Sequence, residues 1–178
     1  MAVTGRSHCL TQWQDGDMNP EDFLADTVTK LKMDGYSVTE TELPSGPVKV
    51  GYQGKFRWLW AASKLNLFTV VATRPEASAD GLSGLISESI EYAKRTKGHL
   101  RGLQIGVAVM PILASNTVTL HAIELVKSRP VKGFAAIAMP AIVDLSTGKV
   151  HYYEGKLILG AIYTKWLRER MAHLLTLS

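Results

Sequence analysis

The chain has 178 residues, 46% hydrophobic and 20% charged, the balance of one globular domain large enough to bury a core. No run approaches the ~18 consecutive apolar residues of a membrane-spanning helix, and the opening "MAVTGRSHCLTQWQDGD" has no apolar signal core. Cys9 is the only cysteine, so an internal disulfide is excluded and a soluble, cytoplasmic protein is expected.

Residues 1–18 lack apolar periodicity and read as a mobile segment ahead of a single domain over 19–178. A helix follows at about 20–34: Asn19 is a good N-cap, Pro20 suits the first turn, and Glu21 and Asp22 complement the helix dipole. Leu24, Val28 and Leu31, flanked by Phe23 and Thr27, form its apolar stripe, and Gly35 ends it. The stretch from Tyr36 to Pro75 reads as strands near 36–42, 47–52, 56–62 and 66–72. Val48, Val50 and Tyr52 alternate, as do Phe56, Trp58 and Trp60. A loop at Gln53-Gly54-Lys55 puts both sets on one face.

A second helix is predicted at about 80–96, with Leu82, Leu85, Ile86, Ile90 and Ala93 on one side. Then "GVAVMPILAS" at 106–115 is echoed 29 positions later by "AAIAMPAIVD" at 135–144. Both read as buried strands, over about 103–113 and 134–144. They are joined by a short helix at 117–128 for which Ser115, Asn116 and Thr117 supply cap chemistry. A strand–helix–strand run in one sheet is a parallel, right-handed crossover. Proline cannot donate to a sheet ladder, so Pro111 and Pro140 belong at an edge, a bulge, or a level where neighbouring strands part. A strand at 149–154 and a helix at 157–175 complete the chain. The helix buries Ile162, Tyr163, Trp166, Leu167, Met171 and Leu174 and shows Lys165, Arg168 and Glu169 to solvent. The expected fold is a single α/β (or α+β) domain. A mixed sheet of about six strands packs with three to four helices on both faces or mostly one, with one βαβ crossover over 103–144 and a C-terminal helix.

The sharpest chemical pattern is Asp144 followed by Glu154-Gly155-Lys156. It is similar to the Asp…(Asp/Glu)-x-Lys arrangement of metal-dependent nucleases, in which two carboxylates hold Mg²⁺ and the lysine polarises the attacking water. The helix–three-strand–helix–strand order of residues 20–113 also resembles that nuclease core. Against the resemblance, no acidic residue lies between Glu42 and Glu76. A tight hairpin at Thr147-Gly148 also pairs Asp144 with His151 and Ala141 with Glu154, which sets the two carboxylates on opposite faces roughly 10 Å apart.

Charge is unevenly placed: residues 1–45 carry −5 and the remainder +9, for a net +4. Lys49, Lys55, Arg57, Lys64 and Arg74 interleave with Tyr52, Phe56, Trp58, Trp60 and Phe68. Such a mixture attracts phosphates and stacks on bases if the rings are exposed, and is ordinary sheet packing if they are buried. Lys94, Arg95, Lys97 and Arg101 are anion or nucleic-acid candidates that also complement a helix C-terminus. Ser115, Asn116 and Thr117 lie between a strand end and a helix start, where N–H groups and hydroxyls can hold a ligand. The histidines His8, His99, His121, His151 and His173 show no metal-ligand spacing, Ser83 lacks a nucleophile elbow, and no metal site is expected.

Three functional expectations follow. The first is a non-catalytic binding or interaction module without a cofactor, self-associating through the C-terminal helix, where Tyr163, Trp166 and Met171 offer apolar surface. The second is a basic nucleic-acid-associated protein with a degenerate nuclease-like core, which alone would call for Mg²⁺. The third is a small-molecule enzyme using the cleft at the ends of the Met-Pro strands, near Ser115, Asn116 and Asp144.

Overall fold

The computed structural model describes residues 18–56, 64–97, 105–128, 131–133, 136–155 and 161–175. The helices are α1 (Pro20–Met33), α2 (Ala79–Lys97), α3 (Leu120–Lys127) and α4 (Ala161–Leu175). The strands are β1 (Ser37–Leu43), β2 (Gly46–Phe56), β3 (Lys64–Thr73), β4 (Ile105–Ser115), β5 (Val131–Gly133), β6 (Ala136–Ala138), β7 (Ala141–Asp144) and β8 (Lys149–Tyr152). The eight segments form one mixed sheet, with β1-β2-β3 antiparallel and β4 parallel to β3. β6 and β7 both run parallel to β4, one after the other in the same lane, while β5 and β8 share the next lane outward. The result is six positions across, and the expected crossover from β4 through α3 is present.

Two cores sandwich the sheet. On one face α1 and α4 contribute Phe23, Leu31, Trp166, Leu167 and Met171 over Leu65, Leu67, Met110 and Ile112. On the other, α2 and α3 contribute Leu82, Leu85, Ala122 and Val126 over Val50, Phe68, Val109 and Leu113. The period-two alternation of β3 and β4 sends successive side chains to opposite cores, which is why their sequences read as continuous apolar runs. α1 is capped as its sequence predicts, with Asn19 accepting from the Glu21 N–H at 2.9 Å, and it buries Phe23, Thr27 and Leu31. It seats closely on β2 because Gly51 has no side chain: a Cβ there would stand 3.1 Å from Leu31.

The strand register explains the two prolines. β4 pairs with β6 and β7 at a constant offset, Val109 with Ala138 and Ile112 with Ala141, so Pro111 stands opposite Pro140. The Met139 N–H donates to the Val109 carbonyl at 2.9 Å. The next donor toward Met139 would come from Pro111, which has none, and the ladder is interrupted there. Pro140 presents its missing donor outward, at the level between Val131, where β5 begins, and Tyr152, where β8 ends. Pro111 is therefore in a central strand, not at an edge, and the pair marks the level at which neighbouring strands change.

Three expectations need correction. β2 runs unbroken through Gln53-Gly54-Lys55, with Gln53 opposite Leu67 and Gly54 opposite Asn66, so no loop forms there. Gln53 is buried and its Nε2 donates to the Asp34 carbonyl at 2.9 Å, a contact that a turn would forfeit. Trp58 and Trp60 lie outside the described residues. Ser115, Asn116 and Thr117 do not cap α3: Ser115 ends β4, and the cap is Thr119, whose hydroxyl accepts from the Ala122 N–H. The β7–β8 hairpin closes over residues 145–148, pairing Asp144 with Lys149 and Ala141 with Tyr152.

Candidate functional site

The parallel strands β3, β4 and β7 finish along one edge of the sheet, with Thr73 beside Ala114 and Ser115 beside Asp144. The segments leaving β3 and β4 then travel side by side. The Arg74 N–H donates to the Ala114 carbonyl at 3.1 Å, Ala77 to Thr117 at 2.8 Å, and Thr119 back to Ala77 at 3.1 Å. The Ser115 hydroxyl cross-links the two segments, donating to the Pro75 carbonyl and accepting from the Thr117 N–H, both at 3.0 Å. The chain entering α1 is tied to the same edge. Met18 donates to the Leu145 carbonyl at 3.1 Å, and the Asn116 amide donates to Met18 at 3.4 Å. In open α/β sheets the crevice outside the carboxyl ends of parallel strands is the usual ligand position.

Two cavities open there, one on each face, and Arg74 and Pro75 line both. The α2-side cavity, about 360 Å³, is bounded by Ala72, Leu85 and Leu113, with Ser45, Glu76 and Gly81 completing it. The α1-side cavity, about 440 Å³, is bounded by Asn19, Pro20, Glu21, Thr73 and Asn116. The hairpin tip that closes the first cavity is fixed to α2, because the Ser45 hydroxyl and N–H both donate to Glu88, at 2.6 and 3.1 Å.

Arg74 is held between the cavities. Its Nη1 donates to the Pro47 carbonyl at 3.1 Å and to its neighbour Thr73 at 2.8 Å. Its Nη2 is buried without an acceptor among the described residues. The guanidinium lies against Gly46, where a Cβ would come within 3.2 Å of Nη2 and where φ is +112°, so this position accepts glycine for two reasons. Among the described residues no carboxylate forms an ion pair with this arginine, and an uncompensated cation fixed in a cavity wall is rare.

The residues singled out from the sequence divide sharply. Asn116 lines the α1-side cavity, while Ser115 is fully buried and spans two backbone segments, and Thr117 is exposed beside it. Arg74, the centre of the arrangement, was legible only as one basic residue among five, since nothing local in "TRPE" distinguishes it.

Asp144 and Glu154 are not brought together. The Asp144 carboxylate caps its own hairpin, accepting from the Ser146 hydroxyl at 2.6 Å, the Ser146 N–H at 3.0 Å and the Thr147 N–H at 3.3 Å. Partial burial pushes its pKa up, but the hydrogen bonds from Ser146 and Thr147 outweigh that and hold it below the ordinary carboxylate value. Glu154 is exposed beyond the end of β8, and its carbonyl accepts from Arg168. Lys156 lies outside the described residues, and among those described no group of His, Cys, Asp or Glu could hold a metal ion.

Lys94 is partly exposed and Arg95 exposed near the end of α2, whereas the Lys97 side chain and Arg101 lie outside the described residues. Phe68 is buried and packs on Tyr52 with ring centroids 5.1 Å apart, so these rings belong to the core. On α4, Trp166 and Met171 are buried within the chain. The Tyr163 side chain lies outside the described residues. No described helix is long and apolar enough to cross a membrane. Comparison with protein-family models, curated proteins and solved structures finds no match to this chain.

Proposed function

We propose that the chain is a binding module that takes a small anionic ligand, bearing a carboxylate or phosphate, in the carboxyl-end cleft at Arg74. The observation that carries this reading is a guanidinium fixed by two carbonyls in the wall shared by two cavities, with an N–H-bearing nitrogen that has no acceptor among the described residues. A buried donor left unpaired costs about 1–3 kcal/mol, more when charged. An arriving anion offsets that cost and forms charge-assisted hydrogen bonds roughly twice as strong as neutral ones. Binding rather than catalysis is supported by the commitments of the surrounding groups. Ser115, Ser45 and Glu88 are each engaged in bonds that hold the cleft in shape.

The test is calorimetric titration with acetate and with inorganic phosphate at fixed ionic strength. The wild type should bind at least one of them, Arg74→Met should bind neither, and Arg74→Lys should retain part of the affinity. Equal binding by wild type and Arg74→Met, or binding by neither, removes the reading.

A further inference from the structure

Resting on that reading, we infer that the ligand is a monocarboxylate with an apolar tail of several carbons, its carboxylate at Arg74 and its tail in the α2-side cavity. Three features narrow the class. The walls of this cavity beyond the arginine are Ala72, Leu85 and Leu113, all buried side chains of the α2-side core, so whatever extends past the anionic group meets hydrocarbon. The volume of about 360 Å³ is at the lower end of small-molecule sites, roughly 300–1,000 Å³, and suits a compact tail rather than a nucleotide. The third feature is charge. Glu76 lines the same cavity and Glu21 the one behind Arg74, both exposed. Two carboxylates near one fixed cation repel a dianion or a phosphate backbone more strongly than a singly charged anion.

The polar groups at the rim agree with this assignment. Ser45 is turned onto Glu88 and the Ser115 hydroxyl onto Pro75 and Thr117. Neither hydroxyl is set aside for the several oxygens of a phosphate. The hydrocarbon wall is thereby left to supply selectivity, through the length of tail it can cover.

Calorimetry with acetate, butanoate, hexanoate and octanoate, and with inorganic phosphate as the competing probe, tests the inference. Affinity should rise by about fourfold per added methylene until the cavity is full, so hexanoate should bind on the order of 16-fold more tightly than butanoate, and phosphate more weakly than hexanoate. Gly81→Leu places a side chain in the cavity lining at an exposed helical position, where the Cβ meets only the Ser78 hydroxyl at 3.2 Å. That variant should lose the dependence on chain length. A flat series, or phosphate binding as tightly as hexanoate, overturns the inference while leaving an anion site at Arg74 in place if Arg74→Met still abolishes binding. A rising series unchanged by Arg74→Met overturns both, as does the absence of any anion binding.

Discussion

Asp144 illustrates how a single residue's chemistry can be visible in sequence while its role is not. The spacing to Glu154 suggests a metal pair, but a four-residue turn over 145–148 places the carboxylate over the N–H groups of Ser146 and Thr147, and those bonds consume it. Its folded pKa lies below the ordinary value. Its ionisation therefore stabilises the fold fully above the unfolded pKa of ~3.9, and that contribution is lost as pH falls through the folded value. Asp144→Ala should cost about 1 kcal/mol at pH 7 by urea unfolding, with the gap to wild type narrowing below pH 4. His151, opposite Ile142 on the same hairpin, runs on a different window. Burial, then the Lys127 charge, lowers its pKa, with Asp144 opposing and Lys149 adding to the decrease. The unfolded chain then binds a proton at a pH where the folded chain does not, so stability falls as pH drops from above ~6.5 toward the folded value. Stability curves at pH 7.5 and 5.5 should show a smaller loss for His151→Gln than for wild type; an identical loss would assign the dependence to other groups.

At the scale of elements, the sequence was most legible where one physical rule acts alone. Helix α1 followed from apolar period and capping, α2 from apolar period, and the β4–α3 crossover from its flanking apolar runs. Legibility failed where a long-range partner outvotes a local cue. Gln53-Gly54 has turn chemistry, but β3 offers a continuous ladder and Asp34 a carbonyl, so β2 stays extended to Phe56. The Met-Pro echo shows both sides: its offset of 29 is the register between β4 and the β6–β7 lane, yet proline alone could not say that the paired donors are missing on different sides. That asymmetry is testable. Pro111→Val supplies an N–H facing the Met139 carbonyl and should be tolerated to within about 1 kcal/mol. Pro140→Val aims its N–H outward, between Val131 and Tyr152, where neither β5 nor β8 pairs with it, and should cost about 1–3 kcal/mol by the same unfolding measurement. Equal effects would show that the outward side accommodates a donor as easily as the ladder does.

Across the whole molecule, the cleft is assembled from pieces no local pattern connects: the entry to α1, the β1–β2 hairpin tip, the exit of β3, the first turns of α2 and the end of β4. Its central residue became identifiable only when the sheet order set Arg74 beside Pro47 and left one nitrogen without an acceptor among the described residues. The apolar side chains of α4 were legible as hydrophobic, and the sheet itself claims Trp166 and Met171. These features give a linkage between binding and stability. A ligand held by the folded chain alone at about 100 times its dissociation constant adds ~2.7 kcal/mol of stability. At roughly 2–4 °C per kcal/mol for a chain of this size, the melting temperature should rise by about 5–11 °C. Arg74→Met loses two carbonyl contacts but also an uncompensated charge, so its ligand-free melting temperature should stay within about 4 °C of wild type. If hexanoate shifts the wild type and leaves Arg74→Met unmoved, the energy of the site passes through this guanidinium. A shift of the same size in both would place binding elsewhere, because a ligand that does not touch Arg74 has no means of telling the two proteins apart.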